Sequence, residues 1–358
     1  MLSNAAVIHT RRWVEYFRGR GHEVGLWSLE PGPADLGAQA LPRLPLPGFL
    51  RYPLARPALE RALDRFGPAL VVAHFVPNYG VLGALSGRHP LAVIAWGSDL
   101  LVVARRDPLR AARTRFVLRR ADLVIADSDG LAGAARTLGA EPGRVLALPW
   151  GIDLERFRPA VTREPELIVS TRMHEAIYDL ETVIEAARPV LLERPASRLL
   201  IAGDGGRRAA LERLAARRLP AGRWQFVGRL APAALADTLG RAAVYISAAR
   251  SDSTSVSLLE AMACGALPVV CDLEGNREWV GEGEGARLFR TGDPGDATRA
   301  LRLALQDPAW AARARTRNRA EVESRADWRT NMARVEARFA ALLDAAPAPG
   351  APVAGGAR

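Results

Sequence analysis

Two carboxylates and a group of hydroxyls share one short stretch of the chain near residue 250. Asp252 follows the apolar run 244–246, and Glu260 comes eight residues later. The pattern predicts a strand, a polar loop, a helix from about Ser255 to Ala263 and a second strand over 267–271. Free N–H groups at a helix N-terminus favour an anionic phosphate, and both acids can face a ligand held there. We therefore expect the backbone to hold a phosphate and the acids to hold hydroxyls.

The same stretch resembles the hallmark of the retaining glycosyltransferases of family 4, also known as glycosyl transferases group 1. In that family an acid and a later Glu precede Ala-Met-Ala-x-Gly-x-Pro-Val. The matching residues here are Asp252, Glu260, Ala261, Met262, Ala263, Gly265, Pro268 and Val269. The resemblance covers about residues 5–343. It implies an α/β chain of the GT-B fold: two facing Rossmann-like doubly wound domains, with a C-terminal helix that returns to the N-terminal domain.

The resemblance also assigns roles in the second domain. Arg172 is expected to be catalytic at the donor diphosphate, Asp252 to be catalytic at the sugar hydroxyls, and Glu260 to bind the ribose. The other donor-binding positions are Tyr178, Gly203, Gly228, Ser255, Val256 and Ser257. A planar guanidinium can bind two phosphate oxygens and stabilise charge on a leaving group. The family's lysine is missing after Arg172, where His174 and Tyr178 stand instead, so more of this task falls on Arg172.

In the first domain, Trp96-Gly97-Ser98-Asp99 resembles the family's His-Gly-x-Asp segment at the carboxyl end of a strand, where open α/β sheets bind ligands. Asp99 keeps its place, which implies a catalytic role near the acceptor, whereas Trp96 replaces the histidine. His9 and Thr10 lie where the chain enters the first helix, in the vicinity of the acceptor or a phosphate. His74 matches a position in the cleft, and a buried structural histidine is an equal alternative for it.

We expect four segments: an acceptor-binding domain over 1–160, a nucleotide-sugar-binding domain over 161–325, a crossing helix over 326–344 and a disordered tail over 345–358. Family members begin with an apolar strand, yet only Met1-Leu2-Ser3 precedes the stretch that matches it. We therefore expect either a start further upstream or a first domain without its central strand. In the second case two neighbouring strands face each other across a gap.

The chain of 358 residues carries a net charge of +10 and contains no lysine, so its basic residues are all arginine. An excess of arginine suits an anionic partner such as nucleotide phosphates or an acidic lipid surface. The arginines are scattered and belong to no recognisable nucleic-acid module, so we expect no nucleic acid. Neither a secretory signal pattern nor a run of about 18 apolar residues occurs, which favours a cytoplasmic location. Cys264 and Cys271 read as buried packing residues, and no Cys/His spacing suits zinc.

The stretch 31–58 is rich in proline, which predicts a loop with short turns. Leucines alternate there with Arg43, Arg51 and Arg56. Such a loop can dip into an anionic membrane surface that presents a lipid-linked acceptor, or it can simply fold over the domain.

The resemblance implies transfer of a sugar from a nucleoside diphosphate sugar to an acceptor hydroxyl with retention of configuration. The acceptor is a glycan, a lipid-linked molecule or a small molecule, and no metal or other cofactor is expected. One alternative is a nucleotide-sugar epimerase of the same fold. Another is a non-catalytic subunit derived from a transferase, which the missing lysine and the aspartate at 252 favour.

Overall fold

The computed structural model describes residues 1–46, 48–281 and 283–345. It divides into two compact units. Unit 1 comprises the described residues of Met1–Leu148 and those from Met332 to residue 345, and unit 2 comprises the described residues of Pro149–Asn331. Each unit is built on a parallel β-sheet with helices between its strands, so the predicted α/β class with two doubly wound domains is confirmed.

The described strands of unit 1 are β1 (Trp27–Ser28), β2 (Gln39–Ala40), β3 (Val71–His74), β4 (Leu91–Ile94), β5 (Leu123–Ala126) and β6 (Val145–Ala147). Its helices before the linker are α1 (Ile8–Gly19), α2 (Gly48–Leu54), α3 (Arg56–Phe66), α4 (Val81–Leu85), α5 (Ser98–Leu101), α6 (Pro108–Arg120) and α7 (Asp129–Thr137). Strands β3 to β6 pair in chain order, and β1 pairs with β2. Strands β3, β4 and β5 are buried along their whole length, as continuous apolar runs in a parallel sheet require.

Residues 1–3 lie between β1 and β3. The Leu2 N–H donates to the Val72 carbonyl at 2.8 Å, and the Leu2 carbonyl accepts from His74 N–H at 2.9 Å. On the other side, Trp27 N–H donates to the Met1 carbonyl at 3.0 Å. The expectation of a gap at this point is therefore wrong, because three residues suffice to pair with the backbone groups of both neighbours.

The proline-rich stretch 31–58 contains more helix than predicted. Helix α2 includes Pro53 near its end, and α3 begins at Arg56. Before α2, the described residues form short turns and the two-residue strand β2. Pro57 lies in the first turn of α3, where an N–H has no intrahelical partner in any case. The prolines of α2 and α3 therefore lie near helix ends, and the high proline content does not exclude helices here.

Unit 2 has the described strands β7 (Leu167–Ser170), β8 (Arg198–Ala202), β9 (Trp224–Gly228), β10 (Val244–Ser247), β11 (Leu267–Cys271) and β12 (Arg287–Phe289). Its helices are α8 (Leu180–Glu193), α9 (Arg208–Arg218), α10 (Pro232–Arg241), α11 (Val256–Cys264), α12 (Glu274–Val280), α13 (Pro294–Gln306) and α14 (Pro308–Arg325). The spatial order is β12-β11-β10-β7-β8-β9, all parallel. The order reverses between β7 and β10, and a ligand crevice forms beyond the carboxyl ends of the strands at such a point.

The linker after β6 packs on unit 2. Ile152 N–H donates to the Ala326 carbonyl at 2.8 Å, and Trp328 N–H donates to the Ile152 carbonyl at 2.9 Å. These bonds explain why the division of the chain falls at Leu148, before the expected residue 160.

The last helix, α15 (Trp328–Asp344), continues into unit 1 and packs there on α1. The Phe339 ring stacks on Phe17 with centroids 5.6 Å apart. The Glu336 carboxylate accepts hydrogen bonds from Tyr16 at 3.0 Å and Arg20 at 3.1 Å. The predicted return of the C-terminal helix to the N-terminal domain is confirmed. The predicted tail, from residue 346 on, lies outside the described residues.

Both cysteines, Cys264 and Cys271, are buried and free, as predicted. In the described part of the chain, no helix combines the length and apolar character needed to cross a membrane. The same residues contain no group of three His, Cys, Asp or Glu side chains arranged to hold a metal ion.

Candidate functional site

Arg172 lies at the point where the strand order of unit 2 reverses, just after β7. Its side chain is nearly buried, with 7% exposed. Nη2 donates to Asp252 Oδ2 at 2.7 Å, and Nη1 donates to Ser257 Oγ at 2.7 Å and to Ser255 Oγ. The structure therefore brings together four predicted residues from two separate parts of the sequence.

The loop after β10 and the start of α11 form the other wall of this cluster. Ser255 is the N-cap of α11, and its hydroxyl accepts from Leu258 N–H at 3.3 Å. The Tyr245 hydroxyl, on β10, donates to Ser257 Oγ at 2.9 Å. The first N–H groups of a helix have no intrahelical partner, so Val256 stands where α11 presents free amides and the positive end of its dipole. An anion in the crevice would meet both the guanidinium and these amides.

A glycine holds the loop against the following helix. A side chain at Gly275, in α12, would place its Cβ 1.9 Å from the Ser253 carbonyl oxygen. Any other residue at this position would push α12 away from the loop that carries Asp252. Close packing of α12 therefore fixes the loop in place.

Arg172 remains charged in this setting. Burial lowers its pKa, but the carboxylate of Asp252 and then the phenols of Tyr245 and Tyr178 outweigh that effect and raise the pKa above its usual value. The Tyr178 ring lies under the guanidinium, 4.2 Å from Cζ. Tyr178, predicted to bind the donor, thus supports Arg172 by a cation–π contact.

The glycine turn after β8 packs on the backbone of the Arg172 segment. Gly203 has φ +127, and a Cβ there would lie 2.4 Å from the Arg172 carbonyl oxygen. Its N–H donates to the Gly228 carbonyl at 2.8 Å. Gly228 itself has φ +73 at the end of β9. Both predicted glycines therefore allow the ends of β7, β8 and β9 to approach closely.

Glu260 lies on α11 and is half-buried. Burial and then the charge of Glu260, four residues earlier in the chain, raise the pKa of the Cys264 thiol to about 12. The predicted contact of Glu260 with ribose hydroxyls stays a prediction.

In unit 1, Asp99 is fully buried. Its carboxylate accepts backbone N–H bonds from Val76 at 3.0 Å, from Trp96 at 3.1 Å and from Leu100 at 3.1 Å. Burial raises the pKa of Asp99 to about 6, although these N–H groups favour the charged form. In this structure the carboxylate fixes the chain at the carboxyl ends of β3 and β4, and its predicted role at the acceptor stays a prediction.

His74 is also fully buried, and its Nδ1 accepts a hydrogen bond from Trp96 Nε1 at 3.2 Å. Burial, then the Met1 amine and His9, lower the pKa of His74 to about 3, so the ring is neutral. His9 is half-buried, and its ring lies 5.8 Å from that of Trp96. Burial and the nearby Arg12 lower the pKa of His9 to about 4.

Thr10 lies near the start of α1, and its predicted place in the vicinity of the acceptor or a phosphate stays a prediction. It is fully buried, and its hydroxyl donates to the Asn4 carbonyl at 2.7 Å and lies 2.6 Å from Ser3 Oγ. These bonds tie α1 to the segment that enters it, so the role of Thr10 visible here is structural.

Comparison of the chain with known protein families gives a match for each of the two units. The family described as "Glycosyltransferase Family 4" matches residues 6–156, and "Glycosyl transferases group 1" matches residues 152–323. The two matches meet at the linker between the units and cover both sheets. The chain belongs to the family 4 glycosyltransferases.

Relatives of this glycosyltransferase include sulfoquinovosyl transferase SQD2 of Arabidopsis thaliana, 26% identical over 83% of the chain and 63% of the relative. D-inositol 3-phosphate glycosyltransferase 2 of Catenulispora acidiphila is 30% identical over 54% of the chain and 50% of the relative. The chain thus spans between half and 63% of the length of these curated relatives.

Solved structures show the same fold. Sucrose-phosphate synthase from Thermosynechococcus elongatus has a TM-score of 0.82 at 20% identity, covering 95% of this chain and 94% of that one. HepE of Anabaena in complex with UDP-glucose has a TM-score of 0.78 at 16% identity, covering 95% and 98%. These likenesses support the GT-B fold of the glycosyltransferase.

Sequence reasoning about this glycosyltransferase missed the environment of His174. The residue is fully buried, its ring lies 5.5 Å from Phe226, and neither ring nitrogen has a hydrogen-bond partner among the described residues. Burial lowers the pKa of His174, which favours the neutral form of the ring. The only signal in the sequence for this environment was the position of His174, two residues after Arg172.

A second missed cluster surrounds Glu30, just after β1. Its carboxylate accepts from the Tyr52 hydroxyl at 3.0 Å and from the Tyr79 hydroxyl. Burial and then Glu30 raise the pKa of Tyr79, and the same two causes raise that of Tyr52. The three residues come from three different elements, so no local pattern could have predicted the cluster.

Proposed function

We propose that this family 4 glycosyltransferase transfers a sugar from a nucleoside diphosphate sugar to an acceptor hydroxyl, with retention of configuration. The observation that carries the proposal is the Arg172 cluster. A charged guanidinium, the hydroxyls of Ser255 and Ser257 and the N-terminus of α11 converge where a parallel sheet reverses its strand order. This combination suits a diphosphate with a sugar attached.

The charge and the N–H donors of Arg172 suit a diphosphate as the leaving group. A guanidinium has five N–H donors, and the bonds to Asp252, Ser255 and Ser257 use only three, so donors remain for phosphate oxygens. In the proposed reaction the bond between the anomeric carbon and the diphosphate oxygen breaks while the acceptor oxygen bonds to the same carbon. The acceptor proton passes to the departing phosphate on the same face, so no enzyme nucleophile is required. Arg172 and the amides of α11 stabilise the charge that develops on the diphosphate.

Comparison with known proteins supports the proposed substrate class. HepE, which shares the fold, is solved with UDP and with UDP-glucose. The name of the Catenulispora relative, D-inositol 3-phosphate glycosyltransferase 2, includes a phosphorylated cyclitol. We therefore propose that unit 2 of this chain binds a nucleotide-sugar donor and that unit 1 binds the acceptor hydroxyl.

The test starts with binding. Titration calorimetry with UDP-, GDP- and ADP-glucose and their galactose and mannose analogues identifies the donor. Transfer is then followed by proton NMR of the anomeric signal, and we expect the product to keep the configuration of the donor. An inverted product would contradict retention, and the absence of binding by any nucleotide sugar would contradict the proposal as a whole.

The two alternatives give different results in the same assays. An epimerase releases nucleotide and an epimerised sugar from the donor alone, without an acceptor. A non-catalytic subunit binds the donor but transfers nothing to any acceptor extract. The intact Arg172 cluster favours the transferase over the second alternative.

We also propose that unit 1 contacts an anionic membrane. Leu44, Leu50 and Leu54 have 39%, 42% and 52% of their surface exposed in and before α2, and Arg43 and Arg56 are exposed beside them in the sequence. Apolar side chains can enter the headgroup region while each arginine near the surface adds about 1 kcal/mol of attraction to anionic lipid.

Sedimentation with vesicles tests this contact. Vesicles with phosphatidylglycerol should bind the protein, whereas vesicles of phosphatidylcholine alone should not. The double variant Leu50→Asp/Leu54→Asp should lose binding, and Leu192→Asp in unit 2, where the leucine is 56% exposed, serves as the control. Two results would contradict the proposal: an equal loss of vesicle binding in the control variant, or equal binding to both kinds of vesicle.

A further inference from the structure

Trp96 occupies an unusual place in unit 1. It follows β4, a central strand of the described sheet, at the carboxyl end where parallel sheets bind ligands, and its side chain is half-buried rather than packed away. Three rings surround it nearly at right angles: His9 at 5.8 Å, His74 at 5.9 Å and Phe75 at 6.1 Å between centroids. Edge-to-face packing of this kind fixes the plane of an aromatic ring.

The polar atom of the indole is already engaged. Trp96 Nε1 donates to His74 Nδ1 at 3.2 Å. A neutral imidazole has one accepting and one donating nitrogen, so Nε2 of His74 carries its proton. His74 is fully buried and its pKa is lowered to about 3, so this bond persists across the physiological pH range. The exposed part of Trp96 therefore presents aromatic carbon, not a hydrogen-bond donor.

The backbone around Trp96 is held as firmly as the ring. One carboxylate oxygen of Asp99 accepts from Val76 N–H at 3.0 Å and from Trp96 N–H at 3.2 Å, which joins the ends of β3 and β4. Between them, Phe75 has φ 67 and begins a π-helical turn, Phe75–Gly80. A bulky residue in this region of φ is strained, and both such strain and π-helical turns concentrate at functional sites.

A second observation points to a ligand at the same place. His74 Nε2 has no hydrogen-bond partner among the described residues, although the ring is fully buried. Buried polar atoms without partners are uncommon, and those that persist often mark functional positions. Strain, an unpartnered imidazole nitrogen and a fixed, half-buried indole thus coincide at one strand end.

We propose that Trp96 is the platform on which the ring of a pyranoside or cyclitol acceptor stacks, and that His74 is the residue that positions it. One face of such a ring presents C–H groups, whose partial positive charge suits the negative face of an indole, and its apolar area covers the aromatic carbon. This inference rests on the proposed glycosyl transfer, and it adds the acceptor class and the residue that selects it.

Saturation-transfer NMR tests the contact on the unmodified protein. The probes are methyl α-D-glucopyranoside, methyl α-D-mannopyranoside and myo-inositol, with irradiation of the aromatic protons. We expect transfer to the C–H protons of one ring face of at least one probe. Trp96→Ala should abolish the transfer, and Phe116→Ala, which removes another half-buried ring of unit 1, should leave it unchanged.

The dissociation constants of the probes distinguish the role of Trp96 from that of His74. Trp96→Ala should raise the dissociation constant of the probe about tenfold, the effect of losing one good aromatic contact. Trp96→Phe keeps an aromatic face, should lose less, and carries the test if Trp96→Ala does not fold. His74→Phe keeps the ring packing but removes the nitrogen that accepts the hydrogen bond from Trp96 Nε1. We therefore expect an intermediate loss of affinity for the probe and unchanged affinity for nucleotide sugars.

The outcomes also separate this inference from the proposed function. If nucleotide sugars bind while no probe shows transfer, or if transfer survives in Trp96→Ala, the platform is wrong and the glycosyl transfer stands. If the probes bind through Trp96 but no nucleotide sugar binds to the protein, the platform stands and the proposed function fails.

Discussion

Arg172 Nη2 and Asp252 Oδ2 lie 2.7 Å apart although eighty residues separate them in the sequence. They meet because β7 and β10 are neighbours in the sheet, and each residue follows the carboxyl end of its strand. The pair is mostly buried, with 7% and 20% of the side chains exposed. Removing either partner leaves a charge with little water around it, and such a loss is much more costly than losing a surface ion pair.

Arg172→Ala should reduce turnover at least about a hundredfold, because removing one donor aimed at developing charge costs about 3 kcal/mol. No lysine exists in the chain to replace it. Steady-state kinetics with the identified donor measure the effect. The control is Arg198→Ala, whose arginine pairs with Glu164 at the opposite end of the sheet, and it should retain full activity. Turnover of Arg172→Ala within threefold of wild type would show that the diphosphate is held elsewhere.

Asp252→Glu and Asp252→Ala should differ. Glutamate keeps the charge opposite Arg172 and adds one methylene of reach, so we expect activity within about threefold of wild type or above it. Alanine leaves the guanidinium buried beside Ser255 and Ser257 without its carboxylate, which destabilises the fold by about 3 to 5 kcal/mol. Chemical unfolding of both variants, with kinetics at the same temperature, tests this. Equal stability of the two variants would contradict the importance of the ion pair.

Glu260→Ala should weaken nucleotide binding. Paired ribose hydroxyls would lose a charged acceptor, worth about 1.5 to 3 kcal/mol or at least tenfold in affinity. Glu260→Gln keeps the shape without the charge and should lose less. Calorimetry with the nucleoside diphosphate and with the matching 2′,3′-dideoxy nucleotide identifies the contact. If the variant discriminates between these two ligands as strongly as wild type does, Glu260 is not the ribose ligand.

The sequence predicted the fold and the elements that carry the Arg172 cluster well, because local residue patterns determine both. Buried parallel strands are short apolar runs, and the start of α11 follows an N-cap serine, so Ser255 and the strand ends were found directly. The family motif then supplied the roles of Asp252 and Glu260. The pairing of Asp252 with Arg172 was not predictable, because it depends on which strands become neighbours.

The candidate residues of unit 1 were harder to predict because their surroundings depend on burial. Asp99 and His74 were singled out by position, yet the structure encloses both and makes them supports for the chain around them. Trp96 was noted only as the loss of an imidazole. The rings of His9, His74 and Phe75 come from α1, from the end of β3 and from the turn after it, and no spacing in the sequence shows that they lie around one indole.

Transfer activity should persist in excess EDTA. The proposed diphosphate site uses a guanidinium and helix amides where other enzymes use a divalent cation, so chelation removes nothing that the mechanism requires. Initial rates with and without EDTA, followed by addition of manganese or magnesium, measure this. Activity that is lost in EDTA and restored by manganese would require a metal in the donor site.

Asp99 gives the protein a pH dependence of stability opposite to that of an ordinary paired aspartate. Burial raises the pKa of Asp99 to about 6, above the value of 3.8 for an unperturbed group. The native state therefore binds this proton more tightly than the unfolded state, and the contribution of Asp99 to stability falls as the pH rises from about 4 to 6. In Asp99→Asn the contribution disappears. The free energy of unfolding of wild type relative to Asp99→Asn should thus increase by about 2 kcal/mol between pH 7.5 and pH 4.5, as urea unfolding at both values can show. A difference between the two proteins that is independent of pH would mean that Asp99 titrates near its ordinary value and that water reaches its carboxylate.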